Sequence, residues 1–128
     1  MRKPKINIVT LGCSKNKVDS ERLAATLSDK YDILHDSDKK SDVVIINTCG
    51  FIGDAKEESI DTILEYAELR KANKIKKLYV MGCLSQRYRK DLQNEIHEVD
   101  GFFGVESVSL IASQILMFSD SQVLKFSD

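Results

Sequence analysis

The sequence has no long apolar run and almost no net charge, and both absences exclude classes of protein. Its longest uninterrupted aliphatic run, Val43 to Ile46, is far below the roughly 20 residues that a membrane-spanning helix needs. The first residues also lack the apolar core of a signal peptide. Because 19 Lys and Arg residues nearly balance 20 Asp and Glu residues, a domain that grips the nucleic-acid backbone is not expected. We therefore expect a cytoplasmic protein without a membrane segment and without direct nucleic-acid binding.

Cysteine is scarce, with three residues in a chain of 128. The number is odd, and no two of the cysteines form the C-x-x-C pair that structural zinc sites often use. In a reducing cytoplasm, cysteines serve as ligands or nucleophiles more often than as disulfides. Their positions therefore become the first candidates for chemistry.

Segments rich in Ile and Val alternate with segments of helical period, which is typical of βαβ units around a parallel sheet. The length and ordinary composition predict one α/β domain over residues 1–117, with a tail at 118–128. Strands are predicted at 5–10, 32–34, 42–47, 77–81 and 101–105. Helices are predicted at 20–29, 54–72 and 86–96, and a last helix is marked by Val108, Ile111, Ala112 and Ile115.

The helix starts and faces are also predicted from local patterns. Asp19 or Ser20 should cap the first helix, and Asp54 with Glu57 resembles a capping box at the start of the long one. The first helix should present Leu23, Ala24 and Leu27 on one face, and the long helix should present Ile60, Ile63, Leu64 and Ala67.

Each cysteine falls just past a predicted strand: Cys13 after the first, Cys49 after the third and Cys83 after the fourth. Ligands of an open parallel sheet bind outside the carboxyl ends of its strands, and the intervals between the cysteines are each about one βαβ crossover long. The three thiols should therefore converge. A glycine, which lets backbone approach a bulky group, stands beside each of them at positions 12, 50 and 82. Three thiolates without a fourth ligand suit a cluster that keeps one iron open.

Several other interpretations compete with a cluster. The cysteines could be buried apolar residues or ligands of a structural zinc, although zinc normally takes four ligands. A flavodoxin-like or receiver-like binding module is possible, but Cys13 and Cys49 stand where a receiver would have acidic residues, and G-x-G-x-x-G is absent. A docking domain without metal is the last alternative. His35 and His97 are expected away from the strand ends, as surface or packing residues.

Three segments carry a resemblance to a known family. Leu-Gly-Cys-Ser-Lys-Asn at 11–16, Ile-Asn-Thr-Cys-Gly-Phe-Ile at 46–52 and Gly-Cys-Leu at 82–84 resemble the N-terminal domain of radical-SAM methylthiotransferases, over about residues 5–105. The resemblance implies a flavodoxin-like fold, with strand order 2-1-3-4-5. It also implies an auxiliary [4Fe-4S] cluster held by Cys13, Cys49 and Cys83.

The residues within these motifs resemble one branch of that family more than another. Cys-Ser-Lys-Asn and Cys-Gly-Phe-Ile are similar to the branch that modifies an aspartate of a small-subunit ribosomal protein, and the tRNA-modifying branch is the alternative. The resemblance implies that the whole enzyme also has a radical-SAM barrel, which uses S-adenosyl-L-methionine, and a TRAM domain. Neither is in this chain, so we expect it to bind the auxiliary cluster that carries the sulfur, with no catalytic residue and no turnover of its own.

Overall fold

A computed structural model describes residues 4–11, 14–37, 40–48, 53–82, 90–103, 112–113 and 115–116 of the chain. Five parallel strands form one sheet in the order β2-β1-β3-β4-β5, which confirms the predicted fold class and strand order. The strands are β1 Lys5–Thr10, β2 Asp32–His35, β3 Val43–Thr48, β4 Lys77–Gly82 and β5 Gly101–Phe102. Helices α1 Ser14–Leu27 and α2 Gly53–Lys71 flank the sheet, and residues 90–95, 112–113 and 115–116 are also helical.

Apolar side chains cover both faces of the sheet. The α1 face packs alternate strand residues such as Ile8 and Ile45 against Leu23 and Leu27 of α1, and Ile115 joins the same cluster. The opposite face contains Val44, Ile46, Leu78 and Val80 with Ile63 and Ala67 of α2 and with Leu92 and Ile96. Burial of one such side chain stabilises the fold by about 1.5–3 kcal/mol. Strand β3 is buried at all six positions, as its continuous apolar run predicts.

The first helix begins earlier than its apolar pattern indicates. It starts at Ser14 and not at Ser20. Its first turns are polar in sequence, so no apolar stripe predicts them. Neither Asp19 nor Ser20 caps the helix, since both lie inside it. The predicted face of Leu23, Ala24 and Leu27 is confirmed.

The long helix begins at Gly53, so Asp54 lies in its first turn and not at the cap. Leu64 is 46% exposed, so its predicted place in the buried stripe is wrong. The helical period turns it to the edge of the face formed by Ile60, Ile63 and Ala67. Other boundaries shift by a residue or two. Ala112 and Ile115 are buried as expected, whereas Val108, Ile111, positions 86–89 and 104–105 and the tail at 118–128 lie outside the described residues.

The two histidines differ in their outcome. His35 is the last residue of β2, so its predicted distance from the strand ends is wrong, although its side chain is exposed. His97 lies in an exposed turn. Within the described ranges, no helix combines the length and hydropathy needed to cross a bilayer.

Candidate functional site

Strands β1, β3 and β4 are neighbours and reach the same edge of the sheet. Thr10 pairs with Asn47 across β1 and β3, and Thr48 pairs with Gly82 across β3 and β4. The Leu11 N–H donates to the Asn47 carbonyl at 2.9 Å, so the chain leaving β1 stays alongside β3. The three strands that lead to cysteines in the sequence therefore end side by side, roughly 4.8 Å apart from one strand to the next.

Cys13, Cys49 and Cys83 themselves lie outside the described residues, as do Gly12 and Gly50. In the sequence, Cys13 immediately precedes the first residue of α1, Cys49 follows Thr48, and Cys83 follows Gly82. Because Thr48 and Gly82 are paired, two of the cysteines come directly after matched positions on neighbouring strands. The convergence of the three thiols stays a prediction, and the strand order supports it.

Gly82 is required by the approach of two strands. Its φ is +101°, in the region that favours glycine. A Cβ added there would lie 2.5 Å from the Thr48 carbonyl oxygen and 2.9 Å from Asn47 Oδ1. The glycine before Cys83 therefore allows β4 to close on the end of β3, which is a more specific reason than the room for a bulky group that the sequence indicates.

A buried group of hydrogen bonds lies on the α1 face of this edge. The Asn47 amide donates from Nδ2 to Ser20 Oγ at 3.1 Å, and Ser20 Oγ lies 2.7 Å from Thr10 Oγ1. We call these three residues, Thr10, Ser20 and Asn47, the polar bracket. Ser20 and Asn47 are buried, and buried polar groups of this kind are stable only when they are hydrogen-bonded. The polar bracket therefore joins α1 to the ends of β1 and β3.

A further side chain joins β3 to β4. Thr48 is fully buried, and its hydroxyl donates to the Met81 carbonyl at 2.7 Å. Sequence reasoning missed both Thr48 and the polar bracket as parts of the site. A signal was present, because Ser20 occupies a position of the apolar α1 face and Asn47-Thr48 ends the apolar run of β3. A polar residue at a core position requires a partner.

A groove lies away from this edge, on the α2 face of the sheet. It has a volume of about 580 Å³ and lies between α2 and the segments that precede β3 and β4, represented by Ser41 and Ile75. Asn7 forms part of its wall, but the Asn7 amide is already hydrogen-bonded to the backbone of Ser37. The groove and the predicted cysteine site are therefore separate features.

Comparison with known proteins gives concordant matches. The model of a family described as "Uncharacterized protein family UPF0004" matches residues 5–104. The chain is 58% identical over 106 residues to the ribosomal protein uS12 methylthiotransferase RimO of Phocaeicola vulgatus, covering 81% of this chain and 24% of that protein. It is 53% identical over 112 residues to the protein of the same name from Cytophaga hutchinsonii, covering 86% of this chain and 26% of the relative. The chain thus spans about a quarter of the length of these relatives.

Proposed function

From the premise that this chain belongs to the UPF0004 family, we propose that it is the iron–sulfur domain of a methylthiotransferase and that Cys13, Cys49 and Cys83 hold a [4Fe-4S] cluster. The observation that carries the proposal is the adjacency of β1, β3 and β4, whose ends meet through the Leu11–Asn47 hydrogen bond and the Thr48–Gly82 pair. In the sequence, Cys49 and Cys83 directly follow β3 and β4, and Cys13 comes three residues after the end of β1.

The three cysteines of the sequence suit such a cluster in chemistry, and the described strand ends suit it in spacing. Thiolates are the usual protein ligands of iron–sulfur clusters, and the ends of β1 and β4 lie two strand spacings apart, about 10 Å. Gly82 contributes no side chain at the point where β4 ends. Three thiolates can therefore approach one cluster from three neighbouring strand ends without a change in the sheet.

The role of the chain's own residues is to bind and orient. When bound, the cluster would supply one iron without a protein thiolate, at which the sulfur for methylthiolation can be carried. The cysteines hold the cluster at the sheet edge, and the apolar layers on both faces of the sheet keep that edge rigid.

The substrate and partners belong to the whole protein. The relatives are named for ribosomal protein uS12, which favours a small-subunit ribosomal protein, modified at an aspartate, over a tRNA as the substrate. We propose that the remaining three quarters of a relative-sized protein supply a radical-SAM barrel, with its S-adenosyl-L-methionine, and a TRAM domain, in the cytoplasm. The division at residue 117 is part of the same proposal.

Anaerobic reconstitution of the chain with iron and sulfide tests the cluster. We expect about four irons and four sulfides per chain, measured chemically together with the visible absorbance. Each of Cys13→Ala, Cys49→Ala and Cys83→Ala should lose most of the iron and keep its fold by circular dichroism. One zinc without sulfide would contradict the proposal, and an alanine variant with the full iron content would remove that cysteine from the ligand set.

The substrate is tested in the full-length protein that contains this chain. With S-adenosyl-L-methionine and a reductant, mass spectrometry of uS12 should show a methylthio group on an aspartate. Modification of tRNA with unmodified uS12 would favour the tRNA branch instead. The chain of 128 residues alone, loaded with its cluster, should give neither product.

A further inference from the structure

Asn47 lies in one of the three segments that lead to cysteines and contacts the backbone of the other two. Its carbonyl oxygen accepts from the Leu11 N–H at 2.9 Å, and Leu11 is two residues before Cys13. Asn47 itself is two residues before Cys49. Its Oδ1 lies only 2.9 Å from the place that a Cβ of Gly82 would occupy, so the amide packs against the backbone just before Cys83.

The Asn47 amide is held in one orientation. Its Nδ2 donates to Ser20 Oγ at 3.1 Å, and this hydrogen bond is buried. Ser20 in turn is linked to Thr10 at 2.7 Å, so the polar bracket ties the amide to α1 and to the end of β1. Only 1% of Asn47 is exposed, and in such surroundings a lost hydrogen bond is not replaced by water.

We propose that Asn47 is a positioning residue that sets the spacing of the three cysteine-bearing segments, a role that rests on the proposed function. It acts through the backbone around the ligands and does not bind iron. Groups outside the ligand shell that orient metal ligands typically change metal affinity by about 10- to 100-fold when removed. Loss of the Asn47 amide removes the hydrogen bond to Ser20 of α1 and the contact with Gly82 at the end of β4, while the backbone pairing of the strands remains. The segments next to Cys13 and Cys83 are then held less firmly against β3, and the cysteines hold the cluster less tightly.

The chain contains a matched control in Asn7. Asn7 is also 1% exposed, and it lies on β1, next to β3. Its amide is hydrogen-bonded too, from Nδ2 to the Ser37 carbonyl at 2.7 Å and from the Ser37 N–H to Oδ1 at 3.1 Å. These bonds lie on the α2 face and hold the segment after β2. Asn7→Ala therefore removes a comparable buried amide without removing a contact to the cysteine segments.

The experiment compares the reconstituted chain with its Asn47→Ala and Asn7→Ala variants. We measure the rate of iron release to a chelator, the electron paramagnetic resonance spectrum of the reduced cluster and the urea midpoint of unfolding. Both variants should lose stability, but only Asn47→Ala should release iron about tenfold faster or more and shift the spectrum. Asn7→Ala should release iron at the wild-type rate with the wild-type spectrum.

Equal release rates in the two variants would overturn the inference and leave the cluster assignment intact. A wild-type chain that takes up no iron and sulfide would overturn the proposed function, and this inference with it. If Asn47→Ala does not fold, Ser20→Ala replaces it, because it removes the hydroxyl that accepts the Asn47 hydrogen bond. Wild-type iron release by a folded Ser20→Ala variant would then overturn the inference.

Discussion

At Gly82 the end of β4 lies against the backbone of β3, and the residue combines a positive φ with a lack of space for a side chain. The nearest atoms to a Cβ would be backbone atoms and the amide oxygen of Asn47. Backbone atoms of a central strand cannot move aside without loss of sheet hydrogen bonds. The identity of this residue is therefore determined by packing and by conformation together.

Replacement of Gly82 should be costly for the fold. We expect Gly82→Ala to lower the free energy of unfolding by about 2 kcal/mol or more, measured by urea denaturation of the cluster-free chain. Gly101→Ala is the control, since its Cβ would lie 3.1 Å from a ring carbon of Tyr79, a side chain that can shift slightly. An equal loss in both variants would contradict this explanation.

Tyr79 places a hydroxyl where the described part of the chain offers it no hydrogen-bond partner. Its ring packs near Phe103, with centroids 6.0 Å apart. Burial raises the pKa of Tyr79 far above its ordinary value, and the negative charge of Asp100 raises it further. The hydroxyl therefore stays protonated in the folded chain.

Removal of that hydroxyl should stabilise the protein. We expect Tyr79→Phe to raise the free energy of unfolding by about 1 kcal/mol at neutral pH, because an unsatisfied buried group is eliminated.

The difference should grow with pH. Above the ordinary tyrosine pKa of about 10, the unfolded wild type releases the Tyr79 proton and the folded protein keeps it, so folded wild type binds more protons and its stability falls as pH rises. Tyr79→Phe lacks this loss. Denaturation curves at pH 8 to 11 test the prediction, and parallel pH profiles would contradict it.

Helix α2 is tied to the start of β5 by Asp100. Its carboxylate accepts from the Leu78 N–H at 2.8 Å and from Arg70 Nε at 3.1 Å, and Lys77 Nζ lies 3.7 Å from it. Basic side chains near a helix C-terminus, such as Arg70 and the nearby Lys77, are favoured by the helix dipole and are commonly solvated. The structure instead shows that Arg70 and Lys77 are partly buried against a shared carboxylate.

The Asp100 contacts should contribute measurably to stability. We expect Asp100→Ala to lower the free energy of unfolding by about 2–3 kcal/mol, because it leaves the Leu78 N–H and Arg70 without an acceptor. Asp100→Asn keeps an acceptor oxygen and should cost less. Lys76→Ala is the control. Lys76 Nζ is 4.0 Å from Asp42 Oδ1, and the Lys76 side chain is 68% exposed; such surface pairs contribute about 0–1 kcal/mol. Thermal unfolding of the three variants should rank them in this order, and an equal loss for Lys76→Ala would contradict it.

The elements with strong periodicity could be predicted, and those that depend on distant partners could not. Strand β1 matches its predicted bounds, and β3 is within one residue, because a continuous apolar run indicates a strand that is covered on both faces. The start of α1 could not be predicted, because its first turns are polar in sequence and carry no apolar stripe. The role of Ser20 could not be predicted either, because its partners Thr10 and Asn47 are distant in sequence and are brought to it by the fold.

The strand order places the three strands that precede the cysteines next to one another. In the order β2-β1-β3-β4-β5, the strands that lead to Cys13, Cys49 and Cys83 are consecutive, although the chain passes through helices between them. The sheet is stabilised by its two apolar layers. We therefore expect the cluster-free chain to keep its fold and to hold the three thiols close together.

Thiol cross-linking of the cluster-free chain measures this proximity. Three variants, Cys13→Ser, Cys49→Ser and Cys83→Ser, each keep one pair of thiols. All three pairs should be joined by a bifunctional reagent that spans about 10–12 Å, since adjacent strands lie roughly 4.8 Å apart and the outer two are two spacings apart.

The pair of Cys49 and Cys83 should also accept a shorter reagent, because these residues follow the paired Thr48 and Gly82.

The control joins Cys13 to a thiol at the opposite edge of the sheet. That thiol is introduced by Lys71→Cys at the exposed end of α2, and the other two cysteines are replaced by Ser. Mass spectrometry of the digested chain should find little cross-link there. Reconstitution of the wild-type chain with iron and sulfide should protect its three cysteines from the reagent. A native pair that cross-links no better than the control would show that its two cysteines do not share this edge, and it would contradict the cluster assignment.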